Sequence, residues 1–520
     1  MPLLAAFGVL DWGVVGLYFA LVTAVGLIIG RRRKNQSESD YFLAGRSLPT
    51  WAVALSLVAT MLSTATFVGV PDVAFGGDLT YLILNIGGIV AVFIVGLLFV
   101  PRLYRAGTVT IYGFLAQRFG EGARLAVSAC FICGRLLSSG ARLFLAAVAL
   151  CLLMFGEGTP TFHQLAAAIA LIGVVGAFYA TVGGVRAVVW VDVIQFIIVV
   201  GTALLSIAIL LHRIALPPAA IFHQLAAATA PSGGSKLRLL DLSLNPASSY
   251  TLWTALIGQT FFMTAAYGTD HDLAQRFLIA KSPARGAASV IASQFIGMAV
   301  VSLFLCIGLL LFLFYRQGGH PMPQAHTAMY PNFLLHELPT GLAGLAMAGL
   351  FAVAQGSLDS AMNALASSIV ADVWEPLRKR RLPRTSTDAA PAASVGSHAS
   401  KWVVAGVGAA MVGFALLCAA IYDPHTTTLL DFALGVMTFA FSGMLAVFLT
   451  ALLTTRGNSL SVLAALLTGA LYVGLLQDRI VAIWSPWFFG HPLKIAWPWW
   501  MPLATLPAFA ICAAPRGKRA

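Results

Sequence analysis

Apolar residues dominate this chain in long runs, which shorter polar stretches separate. Each run is close to the roughly 20 residues that a helix needs to cross the hydrocarbon layer of a bilayer. A helix also satisfies its own backbone polar groups, as lipid requires. The pattern predicts an all-α polytopic membrane protein of about thirteen transmembrane helices, at Leu10–Gly30, Thr50–Phe75, Thr80–Val100, Arg124–Phe155, Leu165–Val182, Ala187–Leu211, Thr251–Lys281, Ala287–Tyr315, Pro339–Val373, Trp402–Tyr422, Leu429–Thr454, Leu460–Leu475 and Trp499–Ala514.

Composition indicates that the lipid bilayer surrounds most of the protein. Apolar residues make up 59% of the chain and charged residues only 10%, whereas soluble domains carry about 25% charge. The net charge of +12 does not point to nucleic acid, because the basic residues lie in loops at alternate ends of the segments. The loops that carry this excess of Lys and Arg face the cytoplasm. We therefore expect a cell inner-membrane protein with its N-terminus outside and its C-terminus in the cytoplasm.

The polar stretches are too short to form an enzyme domain. The longest are His212–Tyr250 and Glu375–Lys401, and the second has the Ala/Ser/Pro-rich composition of a flexible linker. The chain has no phosphate-binding loop of the G-x-x-x-x-G-K-[ST] type, and its histidines are scattered. We expect no enzyme activity, no cofactor and no obligate protein partner. A gradient-driven transporter is the favoured class, and a transporter-like membrane sensor remains an alternative.

Two of the predicted helices carry polar and helix-breaking residues near their middle or inner third. The second contains the run from Leu62 to Asp72 with Pro71, and the seventh contains the run from Thr264 to Asp272. Each opens a group of five helices, and the two groups have opposite orientations. Broken helices at matching positions of inverted halves indicate a site for solute and ion at the membrane midplane. The implied units are residues 1–48, 49–211, 212–250, 251–455 (with the linker 375–401) and 456–520.

Four separated motifs resemble the solute:sodium symporter family. They are Asp40-Tyr-Phe-Leu-Ala-Gly-Arg-Ser-Leu-Pro49, Gly183-Gly-Val-Arg-Ala-Val-Val-Trp-Val-Asp192-Val-Ile-Gln195, Gly268-Thr-Asp-His-Asp-Leu-Ala-Gln-Arg276 and Gly349-Leu-Phe-Ala-Val-Ala-Gln-Gly-Ser-Leu-Asp-Ser-Ala-Met-Asn363. The resemblance implies a LeuT-like five-plus-five inverted repeat, with one helix before it and two after. It further implies a symporter that uses inward sodium movement to take up a small polar organic solute, an anion among the candidates, by alternating access.

The resemblance also implies a sodium site between the second and ninth segments. Its carbonyl and hydroxyl donors fall on Ala59, Leu62, Val353, Gly356 and Ser357. Gly356 departs from the family pattern because it has no side chain to supply a hydroxyl. Sodium must then recover an oxygen from water or from a neighbour, and Asp359 lies one helical turn beyond Gly356 on the same face.

A second cation site is implied in some relatives, and here it falls on Asp192, Asp359 and Ser360. Carboxylates inside a membrane are expensive and are functional by default. Without a bound cation, at least one of the two aspartates is expected to bind a proton, so proton coupling is the rival to sodium coupling. The structural alternative places Asp192 in water near the cytoplasmic end, or in a pair with Arg186.

Two arginines within the fourth segment are candidates for anion binding. Arg135 and Arg142 are seven residues apart, on one helix face and roughly 10 Å from each other. A buried guanidinium favours a carboxylate or phosphate as its partner. We expect one of the two arginines to pair with Asp192 or Asp359 and the other to bind an anionic solute. Some family members bind a substrate carboxylate with an arginine of this helix. The predicted solute site consists of Ser63, Thr66, Tyr81, Asn85, Arg142, Gln259 and Asp270, although polar residues also join membrane helices to each other.

Overall fold

The computed structural model describes residues 8–31, 43–155, 160–317, 329–381, 397–421 and 429–515. The regular elements of these residues are helices, which confirms the predicted all-α class. The basic loop at 32–42 and the central part of the predicted linker, residues 382–396, lie outside the described residues.

The helices of the N-terminal half follow the predicted segments. They are α1 (Val9–Arg31), α2 (Thr50–Met61), α3 (Val70–Gly76), α4 (Thr80–Ala106), α5 (Ile111–Phe119), α6 (Glu121–Phe155), α7 (Phe162–Ile214) and α8 (Pro218–Ala227). A π-helical turn, Ala65–Gly69, precedes α3. Helix α7 is two helices that meet at Gly184, where φ is 60° and ψ is −175°. Glycine alone adopts that backbone conformation without strain.

The C-terminal half repeats this arrangement. Its helices are α9 (Thr260–Thr269), α10 (His271–Leu278), α11 (Pro283–Arg316), α12 (Met329–His336), α13 (Leu342–Ser368), α14 (Ser397–Ile421), α15 (Leu429–Leu453), α16 (Ser459–Leu475), α17 (Asp478–Phe489) and α18 (Trp500–Ala513). A π-helical turn, Thr254–Gln259, leads into α9, and α13 continues through Ile369–Trp374 to Glu375–Arg381.

Each of the thirteen predicted segments coincides with one of these helices or broken helices. Among the described residues, seven helices are long and apolar enough to span a membrane, or up to nine if each of two bent pairs is one span. The remaining segments are short, polar or broken. The sequence did not predict the separate short helices α5, α8, α12 and α17, and both described ends of the predicted linker are helical rather than irregular.

Helix α13 forms the centre of the bundle, with 89% of its most apolar stretch buried. It packs against α1, α2, α6 and α7. The Asp11 carboxylate of α1 accepts hydrogen bonds of 2.7 Å from the amides of Gly341 and Gly344. Those amides begin α13 and have no partners within the helix, so Asp11 caps it from another part of the chain.

The connection between α8 and α9 is tied to the end of α3 by a buried lysine. The Lys236 ammonium donates to the carbonyls of Ala74, at 3.3 Å, and Phe75, and it lies 4.2 Å from the centre of the Phe312 ring. Burial lowers the pKa of Lys236 to about 8, an effect that nearby Asp78 opposes. The lysine therefore supplies the capping donor that the last turn of α3 lacks.

Candidate functional site

The first interruption, here called the first break, separates α2 from the π-helical turn. Leu62 adopts φ −63° and ψ 132°, an extended conformation that ends α2. The chain then turns by 74° before it continues toward α3. The last carbonyls of a helix have no intrahelical amide partners, and those of α2 include Ala59. Helical hydrogen bonding resumes at Ser63, whose carbonyl oxygen accepts a 2.8 Å hydrogen bond from the Thr66 amide. The first break thus presents uncharged oxygen acceptors inside the bundle.

Helix α13 approaches the first break through a glycine. A Cβ atom placed on Gly356 would lie 3.7 Å from the Ala59 carbonyl oxygen. Val353 and Ser357 lie on the same face of α13, one helical turn apart. The Ser357 hydroxyl donates to the Ala354 carbonyl at 3.2 Å, so both of its lone pairs stay available. The structure therefore brings Ala59 next to Gly356, and Val353 and Ser357 lie within one helical turn of that glycine on α13.

The second interruption, here called the second break, separates α9 from α10. Asp270 adopts φ −82° and ψ 116°, and its carboxylate accepts a 2.9 Å hydrogen bond from the Asp272 amide. This is the N-cap arrangement that aspartate favours at the start of a helix. Unlike the first break, the second break places ionisable side chains in the bundle.

Two arginines neutralise most of the charge at the second break. Arg135 of α6 pairs with Asp270 at 2.9 Å and also with Asp272. Arg276 of α10 pairs with Asp192 of α7 at 3.3 Å and lies 3.7 Å from Asp272. None of the five side chains is more than 4% exposed. This ion-pair network joins α6, α7 and α10, and it holds three carboxylates and two guanidiniums.

The network corrects two sequence-based alternatives. Asp192 is buried and pairs with Arg276 and the Ser56 hydroxyl, so the expectation of a water-exposed carboxylate is wrong. Arg135 pairs with the aspartates of the second break rather than with Asp192 or Asp359. Asp272 and Arg276 were missed as network members. Their charges within a predicted membrane segment were the signal that could have identified them.

The three residues of the predicted second cation site occupy two places. Ser360 donates to the Asp272 carboxylate and lies 3.4 Å from the Thr60 hydroxyl, so it contacts the ion-pair network that contains Asp192. Asp359 faces the first part of α7, where its Oδ1 is 3.0 Å from the position of a Cβ on Gly176. The structure thus joins Ser360 and Asp192 through the network and directs Asp359 to a neighbouring side of α13.

A cavity of about 200 Å³ lies between the two breaks. All seven residues predicted to bind solute line it, namely Ser63, Thr66, Tyr81, Asn85, Arg142, Gln259 and Asp270. Asp270 does so while paired with Arg135, which also lines the cavity. Asp270 therefore stays a predicted solute ligand, although Arg135 already balances its charge.

Amides and aromatic rings form the other walls of the cavity. Asn85 accepts a 3.2 Å hydrogen bond from the Gln294 amide group and donates to the Leu82 carbonyl at 3.1 Å. The buried Gln259 Oε1 has no hydrogen-bond partner within the described part of the chain. The aromatic walls, which the sequence analysis missed, come from Phe262, Tyr267, Phe441 and Trp497. Polar groups therefore meet a solute from a few directions only, and apolar surface covers the rest.

Arg142 differs from Arg135 although both line the cavity. Arg142 is partly buried, and among the described residues it has no ion-pair partner. Seven residues along α6 separate it from Arg135, which places the two guanidiniums roughly 10 Å apart along the helix. A partly buried guanidinium that lacks a carboxylate is a ready anion-binding group.

Comparisons with known proteins place the chain among transporters. The model of the sodium:solute symporter family matches residues 41–469. The chain is 28% identical to the human sodium/iodide cotransporter over 385 residues, which are 73% of this chain and 58% of that protein. It is 27% identical to the sodium/sialic acid symporter of Aliivibrio fischeri over 72% of each chain. It is also 27% identical to mouse sodium-coupled monocarboxylate transporter 1, over 91% of this chain and 74% of that one.

Solved structures share the fold. A sodium-coupled sialic acid symporter, in a substrate-bound outward-open state, superposes with a TM-score of 0.79 at 22% identity, covering 99% of this chain and 100% of that one. A nucleobase-cation-symport-1 family transporter in a closed conformation gives a TM-score of 0.52 at 14% identity, covering 91% and 92%. The predicted LeuT-like inverted repeat is thereby confirmed.

Proposed function

The chain belongs to the sodium:solute symporter family, and from that premise we propose that it takes up a small organic anion together with sodium. The family resemblance of the four motifs is confirmed, and the chain is a transporter rather than an enzyme. Alternating access around the two breaks moves the solute, and sodium is the coupling ion.

Sodium binds at the first break, between α2 and α13. The carbonyls of Ala59, Leu62 and Val353 and the hydroxyl of Ser357 are its ligands, with Gly356 at the contact. The support is the approach of the Ala59 carbonyl oxygen to Gly356, at a place where the end of α2 frees its carbonyls. Carbonyl oxygens are suitable ligands for a hard cation because they carry partial negative charge and donate no hydrogen.

The single observation that carries the anion assignment is the state of Arg142. The charge of Arg135 is neutralised by its ion pairs with Asp270 and Asp272. Arg142 faces the same cavity but forms no ion pair with a described carboxylate. A solute carboxylate would supply the missing partner in a bidentate pair. The named relatives carry sialic acid, monocarboxylates and iodide, each an acid or an anion.

Cavity size and lining restrict the rest of the solute. A volume of about 200 Å³ is small for a binding pocket and suits a compact organic acid. Ser63, Thr66, Tyr81, Asn85 and Gln259 offer hydrogen bonds to its polar atoms, and the aromatic walls cover its apolar part.

A second cation binds near Asp192, Asp359 and Ser360. Its support is the charge of the ion-pair network, where three carboxylates face two guanidiniums and leave one negative charge in excess. A buried excess charge is costly, and a cation offsets it. Either sodium or a proton can supply that charge, so proton coupling at Asp359 and Asp192 is the competing mechanism.

The protein lies in the cell inner membrane with the N-terminus outside and the C-terminus in the cytoplasm. The distribution of Lys and Arg between the loops supports this orientation. Residues 49–211 and 251–455 form the two repeats, which rock relative to each other around the cavity, while residues 1–48, 212–250 and 456–520 flank or connect them.

The proposal is tested by a thermal-shift screen followed by uptake measurements. The purified protein is heated with sugars, polyols or carboxylates, each in sodium chloride and in choline chloride. We expect a carboxylate to stabilise it in sodium alone. The best compound then enters proteoliposomes, where an inward sodium gradient should increase uptake and Asp359→Asn should reduce it. Stabilisation by neutral compounds alone would refute the anion assignment, and uptake that follows a pH gradient while ignoring sodium would transfer coupling to the proton.

A further inference from the structure

The segment that follows the second repeat supplies part of the wall of the solute cavity. A 3₁₀ turn, Trp497–Trp499, leads into α18, in the part of the chain that lies outside both proposed repeats. Trp497 nevertheless lines the cavity, as does Gln259 of the π-helical turn before α9. Its ring meets the Phe262 ring of α9 edge to face, with 5.5 Å between the ring centres. A side chain from outside the repeats therefore borders the space in which the solute is proposed to bind.

Contacts on both sides of the 3₁₀ turn hold Trp497 in this place. Ala496 adopts an extended conformation, and its amide donates at 2.8 Å to the Pro246 carbonyl in the connection before α9. The Trp499 amide donates at 3.0 Å to the Ala496 carbonyl and closes the turn. Trp500, the first residue of α18, packs against α16. These contacts fix the turn and, with it, the position of the Trp497 ring.

Gly258 in the π-helical turn before α9 allows the backbone of the 3₁₀ turn to come close. A Cβ atom on Gly258 would lie 2.4 Å from the Pro498 carbonyl oxygen and 2.6 Å from the Pro498 carbonyl carbon. Non-bonded carbon atoms pack at roughly 3.5–4.0 Å, so any side chain at position 258 would push the turn away. The glycine therefore sets how far Trp497 reaches into the cavity.

The aromatic wall that includes Trp497 is continuous and apolar. Phe262 meets Trp497 on one side and the Phe441 ring of α15 on the other, where the ring centres are 5.8 Å apart. The cavity has a volume of about 200 Å³, and tryptophan is the largest side chain in this wall. Its removal would therefore enlarge the cavity more than the removal of either phenylalanine.

We infer that Trp497 determines the largest solute that the cavity accepts, and that Gly258 is its positioning residue. This inference rests on the proposed uptake of an organic anion, and it gives the C-terminal segment a part in selecting that anion. The proposed anion-binding group, Arg142, belongs to α6. The charge and the size of the solute are then selected by different parts of the chain.

A size series of carboxylates tests the role of Trp497. The purified protein in sodium chloride is titrated with acetate, lactate, benzoate, naphthoate and sialic acid, and the thermal shift gives the half-saturating concentration of each compound. Trp497→Ala should change the ratio between large and small compounds about tenfold or more in favour of the large ones, because apolar pocket groups discriminate by that much. Trp497→Phe keeps a ring against Phe262 and should give an intermediate ratio, so it provides the test if the alanine variant does not fold. Trp487→Ala removes a tryptophan of the same segment that is 85% exposed, and it should leave every ratio unchanged.

Gly258→Ala tests the positioning role. Its methyl group should displace Pro498 and with it Trp497, so the ratios should change in the same direction as in Trp497→Ala but by less. In the Trp497→Ala background the same substitution should add almost nothing. An equal effect in both backgrounds would show that Gly258 acts through its neighbour Gln259 instead. Gly201→Ala is the matched control, because a Cβ on this helical glycine would meet nothing within 4 Å.

The outcomes separate this inference from the function on which it depends. A wild-type protein that no carboxylate of the series stabilises would refute the uptake of an organic anion. A wild type that is stabilised, with ratios that Trp497→Ala and Trp497→Phe leave unchanged, would refute the size-selecting role of Trp497 and leave the function in place. A fall in the melting temperature without solute, with no change in the ratios, would show that Trp497 contributes only to packing.

Discussion

The two breaks occupy matching positions in the inverted halves, yet their chemistry differs. At the first break, Leu62 ends α2 and exposes uncharged carbonyls and hydroxyls. At the second break, Asp270 caps α10, and its charge is balanced by Arg135 of α6. The first break presents carbonyl and hydroxyl oxygens that a cation could bind. The second break already contains cationic side chains, the guanidiniums of Arg135 and Arg276. We propose that this repeated backbone binds an ion in one half and joins helices in the other.

Because of this difference, we expect substitutions at the two breaks to affect different properties of the protein, sodium binding at one break and folding stability at the other. Substitutions at the second break should first damage the folded protein, because they leave buried charges without partners. Substitutions at the first break should first damage sodium binding, because its groups are neutral and find partners in a bound ion. The predictions below test that separation, beginning with the largest expected effect.

Loss of Arg276 should give the largest effect. Arg276→Met leaves Asp192 without its described guanidinium and Asp272 with that of Arg135 alone, and breaking a buried pair in this way costs ~3–5 kcal/mol. We expect a sharp fall in the melting temperature and in the yield of monodisperse protein. Adding Asp192→Asn should recover part of the loss, since one fewer charge is then unpaired. A single variant as stable as the wild type would contradict the joining role of the second break.

Loss of Arg142 should affect the solute and leave the fold intact. Arg142→Gln removes a charged hydrogen bond to the proposed carboxylate, which is worth ~1.5–3 kcal/mol, or roughly a tenfold to hundredfold loss of affinity. Because no described carboxylate depends on Arg142, the melting temperature without solute should change little. The exposed Arg102→Gln is the matched control. If Arg142→Gln lowers stability as Arg276→Met does, the anion assignment is wrong.

Loss of the Ser357 hydroxyl should affect sodium. Ser357→Ala is expected to raise the half-saturating sodium concentration on the order of tenfold, with a change of less than ~1 kcal/mol in stability without sodium. Ser289→Ala provides a matched control, because Ser289 is also a buried helical serine whose hydroxyl donates to the carbonyl three residues earlier, at 2.7 Å. Equal sodium titrations for the two variants would remove Ser357 from the site.

Lys236 should give the smallest effect, visible as a pH dependence. Its pKa is about 8 in the folded protein, below its ordinary value of 10.5, because burial disfavours the ammonium. Between these values the unfolded chain binds more protons than the folded chain, so stability from this group rises with pH. The penalty is fully present below pH 8. Melting temperatures of the wild type and Lys236→Met, compared from pH 7 to pH 10, should show the wild type gaining relative to the variant, and a constant difference would contradict the burial effect.

The sequence predicted the fold well because each membrane helix is a local pattern. Apolar runs identified the thirteen segments, and the residues around Leu62 and Gly268 marked the interrupted helices. The gap between the predicted segments Leu165–Val182 and Ala187–Leu211 also marked the break of α7 at Gly184, whereas the pattern could not show that short helices such as α5 form in the loops. Length and hydropathy do not describe such elements.

The site was harder to predict because its contacts join distant residues. All seven solute candidates line the cavity, since polar residues in membrane segments face inward. Their partners depend on the depth and rotation of each helix, which the sequence does not give. The sequence therefore showed neither that Arg135 neutralises Asp270 nor that Gln195 lies next to Gly356.

The cap that Asp11 places on α13 has a consequence for biosynthesis. The carboxylate binds amides that lie 330 and 333 residues later in the chain. Helix α1 is the first described helix to leave the ribosome, yet it cannot complete its contacts until α13 has been translated. Helix α1 can pack on α7 once that helix has been made, but the cap between α1 and α13 forms only after about two thirds of the chain has been translated.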